Sequence, residues 1–318
     1  MSDYKTIHGV KVRSYTTDPD NPITGQVWYD KTNNVLQFQA EGAGSWATGG
    51  NLNTARLQLS GAGIQTSALA FGGSPSSKNQ TEKYNGTSWT EVNNLNTGRS
   101  TLGGVGASNT ACLAFGGFNA SDPQIRNETE TWNGTNWTEV NNINTARHKF
   151  VGAGTNTAAL GFGGRDPDTN DSDLTETWNG TNWTEVNDLN TARQALAGAG
   201  TNTAALAFGG TPAGAVTELY NGTNWTEVND LNTSRRELAG DGTQTSAVAF
   251  GGANGKVHTE TWNGTNWTNV GDMSAGRQEL AGCGANSLAA LAFGGYPPNP
   301  SNATEEFNSG PTVATITS

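Results

Sequence analysis

The chain holds little of what most enzymes and membrane proteins are built from. Among 318 residues there are two cysteines, three histidines and two methionines, and charged residues make up only 14%. No stretch approaches about 18 consecutive apolar residues, so nothing reads as a membrane-spanning helix, and no membrane insertion is expected. The opening Met1-Ser2-Asp3-Tyr4-Lys5 carries no apolar segment, and no signal peptide is expected. Two cysteines do not make a disulfide framework. Cys112 and Cys283 fall at different places within the repeat described below, so two small buried thiols are expected. Seventeen Lys and Arg stand against 28 Asp and Glu, a formal charge of −11. That balance argues against nucleic acid as a partner, because phosphate binding needs clustered cations. The histidines are His8, His148 and His258, and none shares a repeat position with another. A Ser-His-Asp site or a histidine metal site is therefore not expected, and neither is enzyme activity.

What the chain has in abundance is repetition. Phe-Gly-Gly ends at Gly73, Gly117, Gly164, Gly210, Gly252 and Gly295, returning every 42 to 47 residues. Trp46, Trp89, Trp137, Trp183, Trp225 and Trp267 mark a second recurring stretch. Arg56, Arg99, Arg147, Arg193, Arg235 and Arg277 mark a third, after runs like Leu-Asn-Thr. Three markers on one period mean one supersecondary unit copied along the chain. Helical periodicity is absent, and the third copy reads as four strands. They are His148–Gly154, then Ala158–Gly164, then Thr175–Trp178, then Trp183–Val186. Thr155-Asn156-Thr157 turns the first pair, and Asn179-Gly180 predicts a two-residue type I′ hairpin for the last.

Residue size rises along that order, from Gly and Ala to Leu and Phe to Trp. Sheets that converge on an axis and splay at the rim need this gradient to keep interior density even. The expected fold is all-β: a six-bladed β-propeller of four-stranded antiparallel blades. The sixth copy lacks a Trp-Thr-Glu-Val strand, whereas the first copy owns Trp46 without a clear third strand. Residues 45–48 are therefore expected to complete the sixth blade, pairing N-terminal with C-terminal strands; Val313–Thr317 is the alternative supplier. The domains so read are 1–44 as an attachment segment, 45–310 as the propeller and 311–318 as a tail. Asn-x-Thr at Asn85, Asn133, Asn136, Asn179, Asn182, Asn221, Asn224 and Asn263 reads as turn and strand residues rather than glycan acceptors.

The order Trp, Asn-Thr-Ala-Arg, an alternating run into Phe-Gly-Gly, then Thr-Glu-x-Trp or Tyr resembles the kelch repeat. The resemblance spans about five-sixths of the chain. It departs at the last turn, where Asn-Gly-Thr replaces the usual Asp-Pro. The lead-in is Ile7–Val12, Asp18-Pro19-Asp20-Asn21-Pro22, then a hairpin of Val27–Tyr29 and Val35–Phe38. It resembles the opening of tail and fibre proteins of tailed bacteriophages, notably marine ones. Together these resemblances imply a non-enzymatic virion protein whose residues 1–44 contact other virion proteins. A cellular kelch module for a protein or glycan ligand is the alternative.

Three features are candidate sites. The six arginines precede the innermost strands and are expected to ring the channel mouth. They read either as a guanidinium collar for an anionic ligand or as internal partners, each pairing with Glu82, Glu130, Glu176, Glu218, Glu260 or Glu305 or stacking on a blade tryptophan, and strict repetition favours the internal reading. The connections Ser74–Gln80, Phe118–Glu128, Arg165–Leu174, Thr211–Val216, Ala253–His258 and Tyr296–Ala303 vary, while the opposite face repeats near-identical turns. Variation on one face points to contact with a protein or a host-surface glycan there. Finally, Asp166, Asp168 and Asn170 offer oxygens at alternate positions for Ca²⁺, but without the Gly and terminal Glu of an EF-hand loop. A solvated acidic loop is the stronger reading, and no cofactor is expected.

Overall fold

The structure is a computed structural model that describes residues 12–19, 26–40, 42–76, 78–122, 124–310 and 312–316. The expected strand at 7–12 lies outside these residues save Val12, as does the stretch 20–22 of the proline turn. The chain divides into two compact units, one formed by Met1–Gly44 with Ser309–Ser318 and the other by Ser45–Asn308.

In the first unit β1 (Arg13–Tyr15), β2 (Val27–Asp30) and β3 (Val35–Ala40) form a sheet with the last strand of the chain, β28 (Thr312–Thr315). β1 runs parallel to β2, whereas β2–β3 and β3–β28 are antiparallel. The β2–β3 turn is fixed by Asp30, whose carboxylate accepts from the amides of Thr32 and Asn33 and from Asn33 Nδ2. The Asn33 side-chain bond leads in holding that carboxyl below its ordinary range. Trp28 is fully buried and donates from Nε1 to Gln37 Oε1 at 3.0 Å. Pairing of β28 with β3 corrects the alternative in which Val313–Thr317 closes the sixth blade.

The second unit is built of six four-stranded antiparallel sheets. Blade 1 comprises β5 (Ser60–Ile64), β6 (Ser67–Phe71), β7 (Thr81–Tyr84) and β8 (Trp89–Val92). Blade 2 comprises β9 (Gly103–Ser108), β10 (Ala111–Asn119), β11 (Gln124–Trp132) and β12 (Trp137–Val140). Blade 3 follows as β13 (Val151–Gly154), β14 (Ala159–Phe162), β15 (Thr175–Trp178) and β16 (Trp183–Val186). Blade 4 is β17 (Ala197–Gly200), β18 (Ala205–Phe208), β19 (Thr217–Tyr220) and β20 (Trp225–Val228). Blade 5 is β21 (Ala239–Thr243), β22 (Ser246–Phe250), β23 (Thr259–Trp262) and β24 (Trp267–Asn269). Blade 6 is β25 (Ala281–Asn286), β26 (Ala289–Phe293) and β27 (Thr304–Asn308), completed by β4 (Ser45–Thr48). Trp46 faces Phe307 in that last pairing, so the expected closure by residues 45–48 is what the chain does.

Each interface between blades is made by one outer tryptophan and repeats around the whole ring. Trp225 of blade 4 packs its ring 4.9 Å from Phe162 of blade 3 and donates from Nε1 to Thr175 Oγ1 at 3.2 Å. The joint between the chain's two ends is no different. Trp89 of blade 1 packs 4.9 Å from Phe293 of blade 6 and donates to Thr304 Oγ1 at 3.0 Å. Trp46 does the same toward Phe250 and Thr259 of blade 5. The innermost strands also meet in cyclic order, with β25 against β5. These are the contacts of a closed six-bladed propeller.

Two local expectations need correction. The Asn-Gly turns are not two-residue type I′ loops. Trp178 pairs with Trp183, leaving four residues, Asn179–Asn182, in the loop. Only Gly180 of its Asn-Gly pair is left-handed (φ 92°), while Asn179 Oδ1 accepts from the amides of Thr181 and Asn182, both at 2.9 Å. The asparagine side chain shapes the turn, as an Asx turn does, and removes the need for a second positive φ. Nor does the innermost strand of blade 3 start at His148. It starts at Val151: His148 bridges to Arg165, and Lys149 turns to bond Thr101 of the neighbouring blade.

Candidate binding face and axial channel

The six arginines are buried, and none borders the axial cavity. Each pairs within its own blade with the glutamate of the third strand, over 2.6 to 3.0 Å. The anion collar is therefore corrected: these guanidiniums are spent inside the protein. Arg147 shows what on. Its Nη2 donates to Glu176 Oε1, and its Nη1 donates to the carbonyls of Gly163 and Leu174 at 3.0 and 2.6 Å. Those carbonyls stand at the two stems of the variable connection Arg165–Leu174. All six copies repeat this clamp, as at Gly72 and Gln80 for Arg56, or Gly209 and Val216 for Arg193. Glu176 is held in turn by the amides of Asn144 and Thr145 and by Asn144 Nδ2. Burial draws each guanidinium below the ordinary arginine range, and its glutamate opposes that pull. One charged fork thus fixes both ends of a loop whose length runs from six residues (Thr211–Val216) to eleven (Phe118–Glu128).

The channel mouth belongs to the second residue after each arginine, a position that no repeated side chain marks in the sequence. Gln58, Thr101, Lys149, Ala195, Glu237 and Glu279 all have left-handed backbone, with φ between 52° and 56°. Their main chains form a ring of six hydrogen bonds. The amide of Thr101 donates to the carbonyl of Gln58, Lys149 to Thr101, Ala195 to Lys149, Glu237 to Ala195, Glu279 to Glu237 and Gln58 to Glu279, each at 2.8 or 2.9 Å. Every copy pays the left-handed cost to aim its amide sideways at the next blade. The residue between arginine and ring bridges to the first residue of the variable connection, as His148 does to Arg165 and Gln194 to Thr211. The variable connections therefore root beside the channel mouth. A left-handed alanine costs about 1–2 kcal/mol, and glycine restores that apart from about 0.4–1 kcal/mol of extra unfolded-chain entropy. Ala195→Gly is expected to raise stability modestly, by about 0.5–1 kcal/mol in urea titration. Destabilisation would contradict the strain assigned to the ring.

The cavity inside the ring has a volume of about 340 Å³ and a wall made mostly of glycine and alanine from the innermost strands. One wall position breaks the pattern. Where the other blades carry Ala62, Val105, Ala153, Ala199 and Cys283, all buried, blade 5 carries Asp241, half-buried and bordering the cavity. Its Oδ1 accepts from the amide of Gly242 at 2.7 Å and its Oδ2 from Gly284 of blade 6 at 3.1 Å. Burial dominates those bonds and pushes its carboxyl up to about 7. The folded state then holds a proton that the unfolded chain has already released. Stability is expected to fall as pH rises from the ordinary aspartate range to about 7, and to level off above it. Comparing unfolding midpoints of the natural chain and Asp241→Ala across that range tests this; parallel profiles would contradict it.

The remaining candidates fall as follows. Asp166 Oδ1 accepts from the amide of Asn170 and Oδ2 from its Nδ2, so these two groups are turned onto each other, and Asp168 is exposed. Among the described residues, no group of three or more His, Cys, Asp or Glu is placed to hold a metal. Cys112 and Cys283 are both buried and free. Phe118–Glu128 is not an irregular loop: β10 and β11 continue through it, with a register shift between Phe115 and Gly117 and pairs through Asn119 and Gln124. Ile125 and Arg126 belong to that raised hairpin, and Arg126 is held by Asp122 and Glu128 at 3.0 and 3.4 Å. His148 packs its ring 5.9 Å from Phe118 at the hairpin's root, and burial with Lys149 and Arg165 nearby lowers it to about 4. His8 lies outside the described residues. No protein-family model matches the chain, and no curated protein matches it.

Proposed function

We propose that this is a non-enzymatic structural protein of a phage particle, in which a rigid propeller presents its variable face to another virion protein or to the host surface. One observation carries the binding role. Six buried arginines hold the stems of six connections that differ in length and sequence, while the opposite face repeats the same Asn-Gly-Thr turns. A fixed base under variable loops is the arrangement by which scaffolds carry recognition. The repeat's resemblance to kelch propellers fits a binding module, and the lead-in's resemblance to tail and fibre proteins supplies the virion setting. Residues 1–44 are the attachment segment in this reading.

The test has two parts. Particles assembled with the chain lacking residues 1–30 are expected to lose it, although the propeller still folds; normal incorporation overturns the attachment role. Grafting the six-residue connection Thr211–Val216 in place of Phe118–Glu128 is expected to abolish partner or surface binding with little change in thermal stability. Unchanged binding by all such grafts would remove the variable face from consideration. Particles that never contain the chain would favour a cellular binding module.

A further inference from the structure

The sheet edges of this chain differ in how they are guarded. Each blade of the propeller ends in an outer strand with one open side, and in β8, β12, β16 and β20 that strand exposes Glu91, Glu139, Glu185 and Glu227. A charge on an edge strand discourages pairing with another chain, and two copies of one acidic edge repel each other. In the first unit, the β1 edge exposes Arg13. β28, at the other edge of that sheet, has no such guard. No side chain from Phe307 to Ser318 is charged, in a chain of formal charge −11. Val313 is 40% exposed and Ile316 46%, two of the five exposed large apolar side chains among the described residues. The register leaves backbone groups open as well. The Ile316 amide donates to the carbonyl of Leu36, and Ala314 stands opposite Phe38. Bonding alternates along an antiparallel pair, so Val313 and Thr315 turn their amides and carbonyls away from β3. Among the described residues, no strand pairs with that side of β28.

We propose that β28 pairs antiparallel with β28 of a second copy of this chain, joining two four-stranded sheets into one across a two-fold axis. Val313 of each copy then faces Thr315 of the other, and the outward amides and carbonyls of both residues bond across the axis. The chemistry of the edge selects this occupant. A contact between identical strands brings like charges together, and β28 carries none. A neutral strand on an acidic chain is also where two like-charged copies approach with least repulsion. A partner of opposite charge finds its complement on the glutamate-bearing edges instead. A single pair of short strands buries less than the about 1,200 Å² of a standard interface, so the dimer is reversible on dilution. This pairing stands apart from the virion reading and uses no residue of the variable face.

Sedimentation velocity of the full chain, from about 1 µM to about 200 µM, tests the assignment. The mass is expected to move from one chain to two as concentration rises. Thr315→Pro removes an outward amide and spares the bonds to β3, which run through Ala314 and Ile316. It is expected to hold the protein at one chain throughout. Val313→Lys puts a charge on the edge at an exposed position, and it is expected to weaken association about tenfold or more with an unchanged melting temperature. Should Thr315→Pro unsettle the sheet, the lysine variant still decides. Thr226→Lys, at an exposed position of the β20 edge, is the control and is expected to leave association as it was. A single-chain mass up to about 200 µM overturns the proposal, whatever other protein then pairs with this edge. So does a dimer that survives both β28 substitutions, or one that Thr226→Lys disrupts equally. A mass of three or more chains overturns the two-fold pairing.

Discussion

Replacing Arg193 with methionine is expected to lower the unfolding free energy by about 3–5 kcal/mol, the usual effect of stranding one partner of a buried ion pair. The side chain is fully buried, and its loss leaves Glu218 without its cation. It also removes the arginine donor from the carbonyls of Gly209 and Val216, leaving the latter only the Gly209 amide. Many buried pairs can be exchanged for two apolar residues at little cost. Here that rescue should fail. Glu218 also accepts from the amide and side-chain Nδ2 of Asn190, at 2.7 and 2.8 Å. The double change Arg193→Met with Glu218→Met therefore strands donors as well as acceptors, and it should be no more stable than the single change. Denaturant titration of both variants decides this. A double variant as stable as the natural chain would mean that the clamp is dispensable.

The second large effect is expected at the blade interface. Trp225→Ala removes a buried indole that packs against Phe162 and Tyr220 and donates to Thr175. Truncating a buried aromatic side chain to alanine costs about 3–5 kcal/mol. Because the indole joins blades 3 and 4 alongside backbone bonds such as Ala195 to Lys149, the loss should also spread. Amide exchange should accelerate in both blades, and the unfolding transition should broaden. Trp225→Phe keeps the ring packing and loses only the Nε1 donor, so it should cost far less, about 1–3 kcal/mol for the unpaired threonine and reduced volume. Equal losses in the two variants would place the effect in the hydrogen bond rather than the packing.

Much of this architecture was readable because the physical constraints recur with the repeat. The Thr175–Trp178 and Trp183–Val186 strands were placed to the residue, since their aromatic and β-branched residues have no competing pattern. The use of residues 45–48 as a borrowed strand followed from counting which copy lacked its tryptophan. The turn after Trp178 is not decided by its sequence, because Asn-Gly suits two geometries and the following Thr-Asn amides reach the Asn179 side chain first. The mouth ring was not legible at all. Gln58, Thr101, Lys149, Ala195, Glu237 and Glu279 have no side-chain chemistry common to all six, because the position is defined by its backbone amide. A position that holds five residue types in six copies, two residues after a repeated arginine and just before a repeated Leu or Phe, is the available signal. The arginines were found but faced two ways in the sequence, and only packing revealed their grip on the loop stems. Asp241 shows as a departure from Ala and Val at one repeat position, yet its bond to Gly284 joins residues 43 apart.

The closed ring is tested most directly at the amide of Gln58, which donates across the joint where the first and sixth blades meet. Native-state hydrogen exchange of the full chain should protect it to within about tenfold of the amides of Thr101, Lys149, Ala195, Glu237 and Glu279. Exchange of Gln58 at the rate of an unfolded chain, with the other five protected, would show an open array in place of a sealed propeller.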